Sequence, residues 1–126
     1  EGTDLAIVAC GYMVHKDLIA QKILEDRGVS AGVIDLFRLK RINALGLTET
    51  LSRYAAVLTV EEQLLEGGFG SAVLEALIDH NSAKPIKRLG IQDGFKVVNG
   101  GRDVLHDLYG IDTPQIVEAA LALAGA

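Results

Sequence analysis

The stretch from Glu61 to Ser71, EEQLLEGGFGS, holds the chain's densest candidate chemistry: three carboxylates, a turn of three glycines, then a run with helical spacing. A glycine turn that opens a helix is one way to cradle phosphate. Glycine adopts positive φ and lets the backbone approach a ligand, and the first helical N–H groups favour an anion. Here the details argue otherwise. A dinucleotide fingerprint needs a third glycine where Val73 stands, and a P-loop ends in Gly-Lys-Ser/Thr. Glu61, Glu62 and Glu66 would repel a phosphate placed beside them. The favoured reading of Glu61, Glu62, Gly67, Gly68, Gly70 and Ser71 is a turn that faces a neighbouring domain, with an anion site at Gly67–Ser71 as the alternative.

Glu61 and Glu62 are adjacent at a strand end, so their side chains point to opposite faces and make a poor acid/base pair. One of them is expected to point inward, where a carboxylate needs backbone N–H groups or a cation. The glycine turn supplies such N–H groups, and Glu62 is the residue whose truncation tests this. Cys10 ends the first strand before a helix, but no base is placed to activate it, with His15 expected on another face; it reads as an inert thiol. His15, His80 and His106 lack metal-site spacing. His80 suits a helix C-terminus. Gly100-Gly101-Arg102 reads as a turn with a surface ion pair, an anion held by the guanidinium being the alternative. No catalytic, cofactor-binding or metal-binding set is assigned within the chain.

The elements that position these residues follow a β-α alternation. Leu5 to Ala9 (LAIVA) has the unbroken apolar run of a strand covered on both faces. Tyr12 to Arg27 reads as a helix with Ile19, Ala20, Ile23 and Leu24 on one face, stopped by Gly28. Ser30 to Phe37 is a strand and Asn43 to Tyr54 a short helix. Ala55 to Val60 is a third strand ending at Glu61-Glu62, and Ser71 to His80 the next helix. Pro85 to Ile91 is a fourth strand and Phe95 to Val98 a short fifth. Asp103 to Tyr109 is helical to Gly110, and the last helix opens at Asp112 with Gln115 at capping-box spacing. Its buried stripe is Ile116, Val117, Ala120 and Leu121. The sum is one α/β/α sandwich over residues 1–126 around a mostly parallel sheet.

Composition narrows the class. The 126 residues are 49% hydrophobic, fit one domain and do not suit a disordered chain. A net charge of −5, scattered cations and no Trp argue against nucleic acid or an anionic membrane as partner. No apolar run approaches the ~20 residues that span a bilayer. The single cysteine excludes an intrachain disulfide and suits a reducing cytoplasm. Because Glu rather than Met comes first, the chain reads as an excised domain or processed fragment.

ACGYMVHKDLIAQKILEDRGVSAGVIDLFRLK, TVEEQLLEGGFGSAVLEALID, KRLGIQDGF and DLYGID, in that order, resemble the C-terminal domain of the transketolase-like enzymes. These include transketolase, 1-deoxy-D-xylulose-5-phosphate synthase and the beta subunits of the pyruvate-type dehydrogenases. The resemblance covers nearly the whole chain. One departure is Arg41, where many relatives carry proline, which bears on that loop and not on the fold. The resemblance implies a five-stranded sheet with one antiparallel edge strand. It also implies a thiamine diphosphate and Mg²⁺ enzyme acting on a ketose or 2-oxo acid, with both cofactors held in two preceding domains. This domain would pack against them, contribute to a homodimer and be inactive alone. VIDLFRLK and GGRDVLHDLYGIDTPQIVEAA look more like bacterial or archaeal transketolases, whereas GGFGSAV also suits the synthase, so two-carbon ketol transfer is the preferred parent reaction. A stand-alone docking or anion-sensing module is the competing class.

Overall fold

The computed structural model describes residues 2–125. Its elements are β1 (Leu5–Ala9), α1 (Met13–Asp26), β2 (Ala31–Asp35), α2 (Ala44–Leu51), β3 (Ala56–Leu64), α3 (Phe69–Asp79), β4 (Ile86–Ile91), α4 (Arg102–Tyr109) and α5 (Thr113–Ala124). The sheet order is β2-β1-β3-β4, and every pairing is parallel. All five residues of β1 are buried, as its unbroken apolar run requires of a strand with neighbours on both sides and helices on both faces.

Alternation along the strands divides the core in two. Leu5, Ile7, Ala9, Leu58 and Val60 face α1 and α5, meeting Met13, Leu24, Ile116 and Ala120. Ala6, Val8 and Val57 face α2 and α3, meeting Leu51, Phe69, Val73 and Leu77. The result is the three-layer α/β/α arrangement. Among the described residues no helix is long and apolar enough to cross a membrane.

Several expectations need correction. The sheet has four strands, all parallel, among the described residues, not five with an antiparallel edge. Phe95–Val98 is apolar enough to suggest a strand but pairs with no strand among the described residues. The chain turns away after Asp93 at Gly94 (φ 144°), leaving Phe95 and Val97 almost fully in water and β4 as the edge. The buried stripe of α1 is Met13, Asp17, Ala20 and Leu24, while Ile19 is exposed. The capping box at α5 does not form. Asp112 makes no side-chain cap, because its carboxylate turns to Lys16, and Gln115 donates to Asp107 instead.

β3 runs four residues further than expected, through Glu61 and Glu62 to Leu64. Its pairing with β4 steps from Val60–Leu89 to Leu64–Ile91, so three residues of β3 lie opposite one of β4. Such a bulge re-aims side chains at a strand end. It falls on Glu61, Glu62 and Gln63.

Candidate functional site

Glu61 is the carboxylate that points inward, not Glu62. It shares the α3 face with Val57 and Thr59, four and two residues back, and is 1% exposed. Its Oε2 accepts the Phe69 N–H at 2.5 Å and its Oε1 the Gly70 N–H at 3.1 Å. These are the first two helical donors of α3, whose N-cap, Gly68, offers no side chain. Donors at a helix start lack intrahelical partners and carry the positive end of the helix dipole. Glu61 therefore satisfies α3 from the adjacent strand.

The glycines make room for that carboxylate. A Cβ on Gly68 would strike the Leu65-preceding carbonyl of Leu64 and Glu61 Oε2, and one on Gly70 would lie 2.6 Å from Thr59 Oγ1. On β4, a Cβ at Gly90 would lie 2.8 Å from Glu61 Cγ. Gly67 takes the left-handed turn, at φ 69°. Arg88 closes the loop: its Nη1 donates to Leu65 O and Ser71 Oγ, both at 2.9 Å, and the Ser71 hydroxyl donates to Leu65 O. Burial pushes the Glu61 carboxyl above its ordinary range, against the opposing pull of the Gly70 and Phe69 N–H groups and the Arg88 charge.

Glu62 leaves on the other face and builds a separate cluster. Its Oε1 lies 3.0 Å from Arg102 Nε and 2.6 Å from His106 Nε2. The Arg102 guanidinium sits over the Tyr12 ring at 4.4 Å, and the His106 ring lies 5.8 Å from that of Tyr12. Nearby, Lys16 is buried and paired with Asp112 at 2.6 Å and Asp103 at 3.1 Å. These contacts tie α4, α5 and the start of α1 to the end of β3. The structure thus brings Glu61, Gly67, Gly68, Gly70 and Ser71 together and separates Glu62 from them.

The ion pair expected at Arg102 is present, but sequence reasoning missed its partner Glu62 and the roles of Tyr12 and His106. No local signal marked that partner, because Glu62 lies 44 residues from His106 in the chain. His80 Nδ1 lies 3.0 Å from Ala76 O at the end of α3. Burial raises the Cys10 thiol pKa, helped by Asp35, Glu61 and Glu62, the opposite of what a nucleophile needs. Among the described residues no three His, Cys, Asp or Glu side chains converge as a metal site. At the glycine turn before α3 the residues do not fit a thiamine diphosphate, because the Phe69 and Gly70 N–H groups that would meet a diphosphate already hold the Glu61 carboxylate.

Residues 1–116 match the family described as transketolase, C-terminal domain. The chain is 46% identical over 110 residues to the 1-deoxy-D-xylulose-5-phosphate synthase of Gloeobacter violaceus, covering 87% of this chain and 17% of that protein. It is 40% identical over 130 residues to 1-deoxy-D-xylulose-5-phosphate synthase 1 of Geobacter sulfurreducens, covering 100% and 20%. Among solved structures, a split-gene transketolase, an inactive β4 tetramer, superposes with a TM-score of 0.89 at 36% identity, covering 99% of this chain and 40% of that one. A Pichia stipitis transketolase superposes at TM-score 0.67 and 21% identity, covering 99% and 17%, a likeness of fold. The chain spans about a fifth of the length of these curated relatives. Its match over nearly all its length makes it a member of the transketolase C-terminal domain family.

Proposed function

We propose that this chain is the non-catalytic C-terminal domain of a thiamine-diphosphate- and Mg²⁺-dependent enzyme, packed against the domains that hold the cofactor and contributing to a homodimer. The observation that carries the reading is the occupied start of α3. The Phe69 and Gly70 N–H groups, the natural anion donors of the glycine turn, are used by Glu61. That favours a packing role over the anion-sensing alternative. The half-buried lone thiol suits a reducing cytoplasm as the place of work.

For the parent reaction, the curated relatives favour 1-deoxy-D-xylulose-5-phosphate synthesis over the two-carbon ketol transfer preferred on sequence alone. Eight curated relatives carry that name and match at 35–46% identity over 87–100% of the chain. Both reactions rest on thiamine diphosphate, and either would be carried out by residues outside this domain.

Calorimetric titration tests the proposal. Thiamine diphosphate with Mg²⁺ should bind the full-length gene product and give no saturable heat with residues 1–126 alone. Saturable binding or turnover by residues 1–126 would sink it. Supplying the full-length product with a 2-oxo acid and an aldose phosphate, or with a ketose and an aldose phosphate, separates the two parent reactions.

A further inference from the structure

The sheet is all parallel, so the loops that leave β2, β3 and β4 lie along one edge, and large apolar side chains are exposed there. Phe37, two residues beyond β2, is 82% exposed, and Leu39 beside it is also in water. Leu64 ends β3 and is half exposed. Beyond β4, Phe95 is 103% exposed and Val97 96%, with Val98 partly so. The opposite edge differs. Among the described residues, the loops entering the strands (2–4, 27–30, 52–55 and 80–85) expose no large apolar side chain, and Val29 and Tyr54 there are buried.

A free domain has no reason to wet one edge with apolar groups and keep the other clean. Strands spaced about 4.8 Å apart put β2 and β4 roughly 14 Å from each other, so a single partner surface can cover both groups. Arg38, Lys40 and Arg41 alternate with Phe37 and Leu39, are exposed, and show no ion pair among the described residues.

We infer that this carboxyl edge is the face on which the domain docks to the cofactor-holding part of its own enzyme. It meets there an apolar surface flanked by carboxylates opposite Arg38, Lys40 and Arg41. The inference rests on the proposed function. The curated relatives, about five times longer than this chain, carry the additional polypeptide that such an interface requires.

Site-resolved alkylation of the native full-length gene product, with any subunit that co-purifies, tests it. Phe37→Cys and Phe95→Cys are compared with Ser52→Cys, an exposed position on the opposite edge, by mass spectrometry of each peptide. All three replace exposed side chains and leave the core intact. Docking predicts alkylation at 37 and 95 at least tenfold slower than at 52. Equal rates at all three positions, in a product that turns over with thiamine diphosphate, would overturn the docking face and leave the proposed function standing. A full-length product that neither binds thiamine diphosphate nor holds any further domain would remove the proposed function, and the docking face with it.

Discussion

Glu61 reaches across from the end of β3 to the first N–H of α3, Oε2 to Phe69 N at 2.5 Å, and so gives the helix the cap that Gly68 does not provide. Because the carboxylate is 1% exposed, losing it strands two buried donors. Glu61→Ala should destabilise the domain by roughly 3 kcal/mol in urea unfolding. Glu61→Gln, which keeps one acceptor, should cost less. A Glu61→Ala midpoint equal to wild type would show that the contact carries no stability.

The glycines around Glu61 give a second outcome. Gly70→Ala puts a methyl 2.6 Å from Thr59 Oγ1, with an expected cost of about 2 kcal/mol. Thr59 Oγ1 is buried and has no hydrogen-bond partner among the described residues, so Thr59→Ala removes the clash without breaking a bond. In a double-mutant cycle, Thr59→Ala should recover part of the Gly70→Ala loss. Strict additivity would place the strain elsewhere.

Asp17 sets a pH dependence. It is fully buried on the core stripe of α1, neither oxygen has a partner among the described residues, and burial pushes its pKa up to about 8 from the ordinary 3.8. Between those values the folded chain holds a proton that the unfolded chain has released. Stability is then full below pH 3.8, falls as pH rises and levels off above about 8, by up to ~1.4 kcal/mol per pH unit. The raised Glu61 carboxyl adds in the same direction. Asp112 opposes only in acid, because its bond to Lys16 lowers its pKa and that contribution disappears as pH falls below the ordinary carboxylate range. Chemical unfolding at pH 5.5 and 7.5 should show wild type losing stability with the rise, and Asp17→Asn losing at most half as much. Matching slopes would contradict the assignment.

Glu62 anchors α4, since Arg102 and His106 of that helix both meet its Oε1. Glu62→Gln should raise amide exchange across residues 102–109 about tenfold and leave β1 unchanged. Protection that falls equally in β1 would mean that the pair supports the whole fold rather than one helix.

Much of this could be read from the chain because it is local. LAIVA has the pattern of a doubly covered strand, and Gly28 and Gly110 stop their helices within a residue or two of the expected place. A carboxylate next to a glycine turn pointed to an inward glutamate held by N–H groups. Alternation fixed that Glu61 and Glu62 diverge, but not which one faces α3, because that depends on the packing of β3 between two helical layers. Long-range pairs were out of reach: Glu62 and His106 are 44 residues apart, and nothing between them marks the contact. Phe95–Val98 misled because apolarity indicates burial against something without saying whether that partner belongs to the same domain. Asp17 keeps the helical spacing of Met13, Ala20 and Leu24, but its charge argues for the wet face, so its burial was not expected.

The Glu61 contact also bears on the order of assembly. Its partners are eight and nine residues away, so closing this loop costs little chain entropy. β1, in contrast, must find β3 across a separation of 51 residues, as the pairing of Leu5 with Ala56 shows. The turn between β3 and α3 can therefore close before the central strand is seated, and β4, whose Gly90 packs on Glu61, has a finished surface to join. On this account the glycine turn is a folding landmark, marking where the second half of the sheet begins.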